Sequence, residues 1–467
     1  MKSQSRSDLK AFFEPATIAV MGSLRRGTGL GYGTIKNMLN FGFNGRIYPV
    51  NPGYSELEGL KVYRNLGDVP DPVDLAVVIT PASTVPPVVE ECARKGIMAV
   101  IVISEHFAEA GDEGARLEKQ LVDIARRTGI RIMGPNTIGV LNSANGLVTT
   151  PYRTGYNSVV RGGIAYCTQS GIAAAQTQAL ADRAYPISKM CDLANKCDIN
   201  EVDMLNYLVS DPDTTVVAMH MEDVKDGRGF MDAARRIVRS KPLVIFKTAR
   251  SREAARAARS HTGSLAGDYE VYAGVIKQVG AIGVDTWQEY WDVPRVLASQ
   301  PLPRGNRAAI FVWSGGAGVV ATDAAVKSGL KMAELSARTV GKLAGLTSRT
   351  VRNPVDISPM VSSAARKTAT LQEEVIAAVM KDENVDCAFF AMAVMGAVPT
   401  FIARIDRIRI CFQKPVVFWL YGPSLTSIEE VARYMQRQGI PVCTELETGV
   451  KALGILAGYS RFRSSGK

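Results

Sequence analysis

Residues able to carry chemistry concentrate in one short stretch, 260–267, which reads Ser260, His261, Thr262, Gly263, Ser264, Leu265, Ala266 and Gly267. His261 is one of only three histidines in the chain. An imidazole on a polar, glycine-bearing segment can act as a nucleophile or carry a phosphoryl group. The same octapeptide also suits an ordinary exposed loop histidine, so its surroundings must decide. Thr262 and Ser264 bring hydroxyl donors beside the ring, and Gly263 and Gly267 give the segment freedom to move. A carboxylate bonded to one imidazole nitrogen fixes the tautomer and makes the other nitrogen more nucleophilic. Glu222 is the candidate: it follows the apolar run 216–221, at a strand's carboxyl end, where open α/β sheets place functional groups. Standing alone, it would be a solvated strand-end residue. His220, on that run, is expected to be packed, and His106 opens a helical segment; neither is expected to do chemistry.

A phosphoryl group on His261 needs donors. Two turns offer them: Gln169, Ser170 and Gly171 after one apolar run, and Ser314, Gly315, Gly316, Ala317 and Gly318 after another. Each reads as a strand, a small-residue turn and a helix start, whose free N–H groups and dipole contribute ~0.3–1 kcal/mol to an exposed anion. Singly, each is more often a tight turn; two of them beside a loop histidine favour a phosphoryl carrier. A third glycine loop follows the first apolar run, with Gly22, Ser23, Arg25, Arg26, Gly29, Gly31, Tyr32 and Gly33. It allows the close backbone approach a diphosphate needs, although the strict G-x-G-x-x-G spacing is absent. The second apolar run ends in Asn51 and Pro52, with no acidic residue to hold the ribose hydroxyls of NAD, which disfavours a dehydrogenase.

Short apolar runs alternate with helix-patterned segments throughout, which predicts parallel sheets built from βαβ units. Strands are expected at 17–21, 46–50, 74–80, 98–104 and 131–133. A second block contributes 164–168, 215–221, 243–247 and 281–284, and a third 308–313, 331–335, 387–391, 415–420 and 441–443. At 467 residues the chain is long enough for about three domains of roughly 150 residues. Turn-rich stretches near 151–157 and 299–306 divide it into 1–150, 151–300 and 301–467. The fold class is therefore α/β, with three consecutive open parallel-sheet domains.

Hydrophobic residues make up 46% and charged residues 21%, as in an ordinary globular protein, and no apolar run is long enough for a membrane span. No signal-peptide pattern opens the chain, and the seven scattered cysteines are expected as reduced thiols, so a cytoplasmic location is expected. The net charge of +10 favours an anionic partner. Basic residues are spread without an aromatic-interleaved stripe, which argues against nucleic acid. Cys191 and Cys197 match no common zinc spacing, and no metal site is expected in this chain.

Taken in order, these motifs resemble the α subunit of NDP-forming (ADP-forming) acyl-CoA synthetases, relatives of succinyl-CoA synthetase. The resemblance runs through 13–22, 45–52, 72–79 and 134–139, then Gln169-Ser170-Gly171, Asn195-Lys196-Cys197-Asp198 and Ser260-His261-Thr262-Gly263 with Leu265-Ala266-Gly267. It ends with Gly315–Gly318 and Asn353-Pro354-Val355-Asp356. It implies a Rossmann-like CoA-binding domain followed by two flavodoxin-like domains. CoA would be held by Gly22, Ser23, Arg25, Gly29, Gly31, Tyr32, Asn51, Pro52, Thr80, Pro81 and Asn136. His261 falls on the phosphorylated histidine, Glu222 on its supporting carboxylate. Gln169, Ser170, Gly171, Thr262, Gly263, Gly315, Gly316, Ala317 and Gly318 fall on the phosphohistidine-binding loops.

The implied reaction is acyl-CoA + phosphate + ADP ⇌ carboxylic acid + CoA + ATP. In the family, ATP or ADP with Mg²⁺ belongs to an ATP-grasp unit on a β subunit or a fused C-terminal half; nothing in this chain resembles that unit and no G-x-x-x-x-G-K-[ST] motif is present, so the resemblance implies a separate β subunit and, by family analogy alone, an α₂β₂ assembly. Ala194, Ala249 and Thr137 depart from the family's usual glycine, glycine and cysteine, and are expected to bear on which small carboxylic acid or CoA thioester is used. A CoA-binding regulatory or scaffold protein without turnover is the alternative reading, weakened by the joint presence of His261, Glu222 and both helix-start loops.

Overall fold

The structure is a computed structural model that describes residues 9–70, 72–152, 160–171, 185–256, 268–346, 351–358 and 365–465, with side chains from 371 in the last segment. The chain forms two compact units, Met1–Asp285 and Thr286–Lys467.

In the first unit the apolar runs become strands β1 (Thr17–Gly22), β2 (Arg46–Val50), β5 (Leu75–Ile79), β6 (Ala99–Val102) and β7 (Arg131–Met133), with a small hairpin of β3 (Glu56–Leu57) and β4 (Leu60–Lys61). Every residue of β5 and β6 is buried, as expected of strands covered by helices on both faces. The sheet is parallel, in the order β2-β1-β5-β6-β7. Its helix Asp112–Thr128 carries Asp112 and Glu113 in the first turn and Arg126 and Arg127 in the last, complementing the helix dipole. Gly129, at φ 79°, ends it.

A second sheet contains β8 (Val140–Asn142), β9 (Leu147–Val148), β10 (Val160–Thr168), β11 (Pro186–Asp192), β12 (Val216–Met221), β13 (Leu243–Lys247) and β14 (Ile282–Val284). Their order is β14-β13-β12-β10-β11-β8-β9. This sheet is not purely parallel: β8 runs antiparallel to β11 and β9 antiparallel to β8. The hairpin lies on the N-terminal side of residue 150 yet closes the edge of the second sheet. Asn142 explains how it is held, donating from Nδ2 to the Phe13 carbonyl at 2.8 Å while pairing with Lys189.

The second unit holds β15 (Arg307–Val312), β16 (Lys331–Met332), β17 (Val355–Asp356), β18 (Cys387–Ala393), β19 (Val416–Tyr421) and β20 (Val442–Cys443), all parallel, ordered β16-β15-β18-β19-β20 with β17 also on β15. Phe311, Phe390 and Phe418 are in register on adjacent strands and stack at 4.5 Å between successive rings, a large share of this core. The helix Trp287–Ser299 belongs to this unit: Arg295 donates to Asp292 and to the Val442 carbonyl, and Lys451 pairs with Glu289 at 2.8 Å.

Numbering the principal parallel strands within each sheet in chain order gives 2-1-3-4-5 three times over. In such a sheet the connections leave in opposite directions from strands 1 and 3, and ligands bind in the crevice at their carboxyl ends. None of the seven cysteines is in a disulfide. Among the described residues, no helix is long and apolar enough to cross a membrane, and no cluster of three His, Cys, Asp or Glu side chains could hold a metal ion.

Candidate functional site

The first crevice lies beyond β1 and β5. Gly22, Ser23, Arg25 and Gly29 form the loop from β1 into the helix Leu30–Phe41. A Cβ on Gly29 would stand 2.4 Å from the Ser23 carbonyl oxygen and 2.7 Å from the Arg25 nitrogen, so the turn admits only glycine. A Cβ on Gly31 would reach Ser23 O at 3.0 Å. Asn51 braces the loop, donating to the Gly22 carbonyl at 2.8 Å and accepting from Gly53 N at 2.9 Å. Beside this loop opens a cleft of about 250 Å³ lined by Leu30, Thr80, Pro81, His106, Asn136 and Ile138. Of the residues expected to hold CoA, Thr80, Pro81 and Asn136 line the cleft. Gly22, Ser23, Arg25, Gly29 and Gly31 build the adjoining loop or helix start, while Tyr32 points its hydroxyl to Glu58 at 3.3 Å and Pro52 sits in an exposed turn.

The wall of the cleft meets the residues of the second crevice at Ile138. Ile138 donates its N–H to Asp192 Oδ2 at 3.0 Å, and a Cβ on Gly171 would lie 3.2 Å from Ile138 Cγ2. Gly171 therefore stands against the cleft wall, at the end of the turn that follows β10. Gln169, buried in the same turn, accepts from Glu222 N at 2.8 Å and Asp223 N at 3.1 Å, and donates to the Asp223 carboxylate. One amide side chain thus fixes the backbone of both acidic residues beyond β12. Thr168 shapes the turn, donating to the Ser170 carbonyl at 2.7 Å.

Under these carboxylates lies a buried charge network that sequence reading missed. Lys196 Nζ donates to Asp223 Oδ1 at 2.6 Å, to the Asp223 carbonyl at 3.0 Å and to Glu201 Oε2 at 3.2 Å. Burial alone would raise the Asp223 pKa, but Lys196, then Gln169 and Lys225, hold it below the ordinary carboxylate range. Lys225 Nζ ties the carbonyls of Asn195 and Lys196 at 2.9 and 2.8 Å, and Asn195 Nδ2 reaches Glu109 and Glu118 at 2.6 and 2.9 Å. Asp192 is pushed up to about 7, chiefly by burial, with the nearby Glu222 adding to the rise. His220 is packed, as expected: its ring nitrogens meet Thr168 Oγ1 at 3.2 Å and Thr248 Oγ1 at 3.0 Å, and burial lowers it to about 3.

Ala194 and Ala249 have φ of 47° and 56°, in the left-handed region. Glycine at either position relieves ~1–2 kcal/mol of backbone strain, against ~0.5–1 kcal/mol of extra chain entropy lost on folding. Ala194→Gly is therefore expected to raise the denaturant midpoint, by roughly 0.5–1 kcal/mol of unfolding free energy. A midpoint that falls would show that the alanine methyl packs to greater effect than the strain costs.

His261, Thr262 and Gly263 lie outside the described residues, and so does the helix expected after Gly171. In the second unit, Ser314 is the N-cap of the helix Gly315–Lys327 and makes no capping bond from its side chain. A Cβ at Gly315 would meet nothing within 4 Å, and one at Gly316 only Ser314 Oγ at 3.8 Å, so local packing demands glycine at neither. Gly318 differs, since its Cβ would press on Pro354 at 3.3 Å. Ala317 sits between them in the first turn.

The chain as a whole has relatives of known kind. The chain is 34% identical to the alpha subunit of the ADP-forming acetate–CoA ligase I of Pyrococcus furiosus, over 98% of its own length and 99% of that subunit. It belongs to the ADP-forming acyl-CoA synthetase family. Family models match in two places, a CoA binding domain over residues 16–143 and a succinyl-CoA ligase like flavodoxin domain over 161–297. The ADP-forming acetate–CoA ligase II of Archaeoglobus fulgidus is 35% identical, across 98% of this chain and 68% of that protein. The dinucleotide forming acetyl-coenzyme A synthetase 1 of Ca. Korarchaeum cryptofilum, solved in complex with phosphate and ADP, matches with a TM-score of 0.88 at 30% identity over 98% of each chain. Within this family, the crevice residues to which sequence reading gave no site role include Leu30, His106 and Ile138 in the cleft, and Lys196, Asp223 and Lys225 beneath Glu222. Their available signal was position: each of Ile103–His106 and Glu222–Lys225 follows a parallel strand at its carboxyl end.

Proposed function

We propose that this chain is the acyl-transfer subunit of an ADP-forming acyl-CoA synthetase that works through a phosphohistidine on His261. The observation that carries this reading is the continuity from the cleft wall at Ile138, through Gly171, to Gln169 and Glu222. A thioester bound in the first crevice then presents its carbonyl carbon toward the second. A phosphate oxygen attacks that carbon, the C–S bond breaks and CoA leaves as its thiol, giving an acyl phosphate. A ring nitrogen of His261 attacks phosphorus and the carboxylate departs. An ADP β-phosphate oxygen then takes the phosphoryl group as the P–N bond breaks.

Glu222 serves as the carboxylate that orients the His261 ring, with its own backbone fixed by Gln169. Gly315 and Gly316 open a second anion-binding helix start in the other unit, where glycine answers no local packing need. The nucleotide and its Mg²⁺ belong to an ATP-grasp β subunit, in an α₂β₂ enzyme of the cytoplasm acting on a small carboxylic acid. Incubating the chain with that partner and γ-labelled ATP is expected to label this chain with acid-labile, base-stable phosphate. An unlabelled wild-type chain, or label that survives acid, sinks the proposal.

A further inference from the structure

Three lysines of the second sheet and its loops are almost fully buried, and two are neutralised. Lys189 lies 2.8 Å from Asp211, and Lys196 2.6 Å from Asp223. The third, Lys247, is 1% exposed; its partners among the described residues are its neighbour's Thr248 carbonyl and the Tyr272 ring, 4.5 Å from Nζ to the centroid. A buried ammonium has three donors and is costly to leave without an anion.

Its place in the fold is informative. Lys247 ends β13 and pairs in register with Met221, the residue before Glu222. Tyr272 is itself fixed, its hydroxyl accepting from Val224 N at 3.2 Å. That ring sits in the first turn of the helix Tyr269–Gln278, which directly follows the segment carrying His261. A phosphoryl dianion entering beside Glu222 and Asp223 meets two carboxylates, so it requires a nearby cation. Lys196 is committed to Asp223 and Glu201. Arg250 is committed to the Lys247 and Val284 carbonyls and to Asp285. Lys247 remains. Burial lowers it to about 8, with Asp223 and Glu222 drawing it back up, which leaves it largely charged at neutral pH.

We propose that Lys247 is a phosphoryl-binding residue, its ammonium contacting the oxygens of inorganic phosphate and of the group passed to His261. This rests on the proposed reaction. The test uses the complete enzyme with its β partner, in the direction of ATP synthesis, comparing wild type with Lys247→Met and Lys247→Arg. Loss of a charge-assisted hydrogen bond raises the KM for inorganic phosphate by roughly tenfold or more in Lys247→Met, with the KM for the CoA thioester within about twofold. Lys247→Arg keeps the charge but not the ammonium's geometry, and restores part of the phosphate KM. If Lys247→Met loses its circular-dichroism signal, Lys247→Arg alone decides, through a phosphate KM shifted by at least about threefold at constant thioester KM. An unchanged phosphate KM, or equal shifts in both constants, overturns the assignment and leaves Lys247 a support for Tyr272. A wild-type enzyme that neither consumes phosphate nor takes label defeats the underlying reaction instead, so the two failures are distinct.

Discussion

Lys196→Met is expected to lower the free energy of unfolding by about 3–5 kcal/mol. The magnitude follows from what is left behind. Lys196 is 2% exposed in its side chain and binds Asp223 at 2.6 Å and Glu201 at 3.2 Å. Methionine fills similar volume and meets the same backbone demand at φ 55°, so the change isolates the charge. Two carboxylates then share a buried site with no ammonium between them. The pH dependence has a definite sign. Burial pushes Asp223 up, but Lys196 and its hydrogen bond hold it below the ordinary value of 3.8 in the folded chain. That contribution is present above pH ~4 and is lost as pH falls through the depressed pKa. The gap between wild type and variant is therefore widest at neutral pH and narrows in acid. Urea unfolding at pH 7 and at pH 3 or below checks both points, and Lys196→Met combined with Asp223→Asn is expected to recover part of the loss. Equal midpoints for wild type and the single variant would show the network to be energetically idle.

Lys196 also marks where sequence reading reaches its limit. Strands such as β5, β6, β13 and β18 were legible because both faces are buried and the apolar run is nearly unbroken. β11 was not, because Lys189 and Asp192 interrupt its run. Lys189 can occupy a sheet interior only because Asp211, from a distant turn, neutralises it, and that pairing is tertiary. The hairpin of β8 and β9 escaped for a related reason: its strands are three and two residues long and depend on Asn142 and a neighbouring strand for their register. In the candidate site, Gln169, Glu222 and the glycines of the first loop were visible because turn chemistry and position after a strand are local signals. The service performed by Gln169, capping the backbone of residues more than a strand away, is not local, and neither is the burial of Lys247 against Tyr272. Acidic and basic residues that look like surface charge in the sequence become a buried network only when the 2-1-3-4-5 order brings β10, β12 and β13 side by side.

His261→Ala is expected to separate the two halves of the reaction. If the thioester is cleaved by phosphate before His261 acts, the variant keeps the first half and loses the second. ATP formation by the enzyme with its β partner should fall by roughly a thousandfold or more, as for removal of a nucleophile with no substitute nearby. Thioester cleavage supported by arsenate should persist within about an order of magnitude, because acyl arsenate hydrolyses without a phosphoryl acceptor. Gln169 fixes the backbone N–H groups of Glu222 and Asp223 through bonds that do not involve residue 261, so the proposed phosphate crevice is expected to survive the substitution. CoA release from the thioester and ATP yield, measured on the same preparation, check both halves. Loss of arsenate-dependent cleavage together with ATP formation would place His261 in the first step and require a different order of events. Retention of both activities would remove the histidine from the pathway.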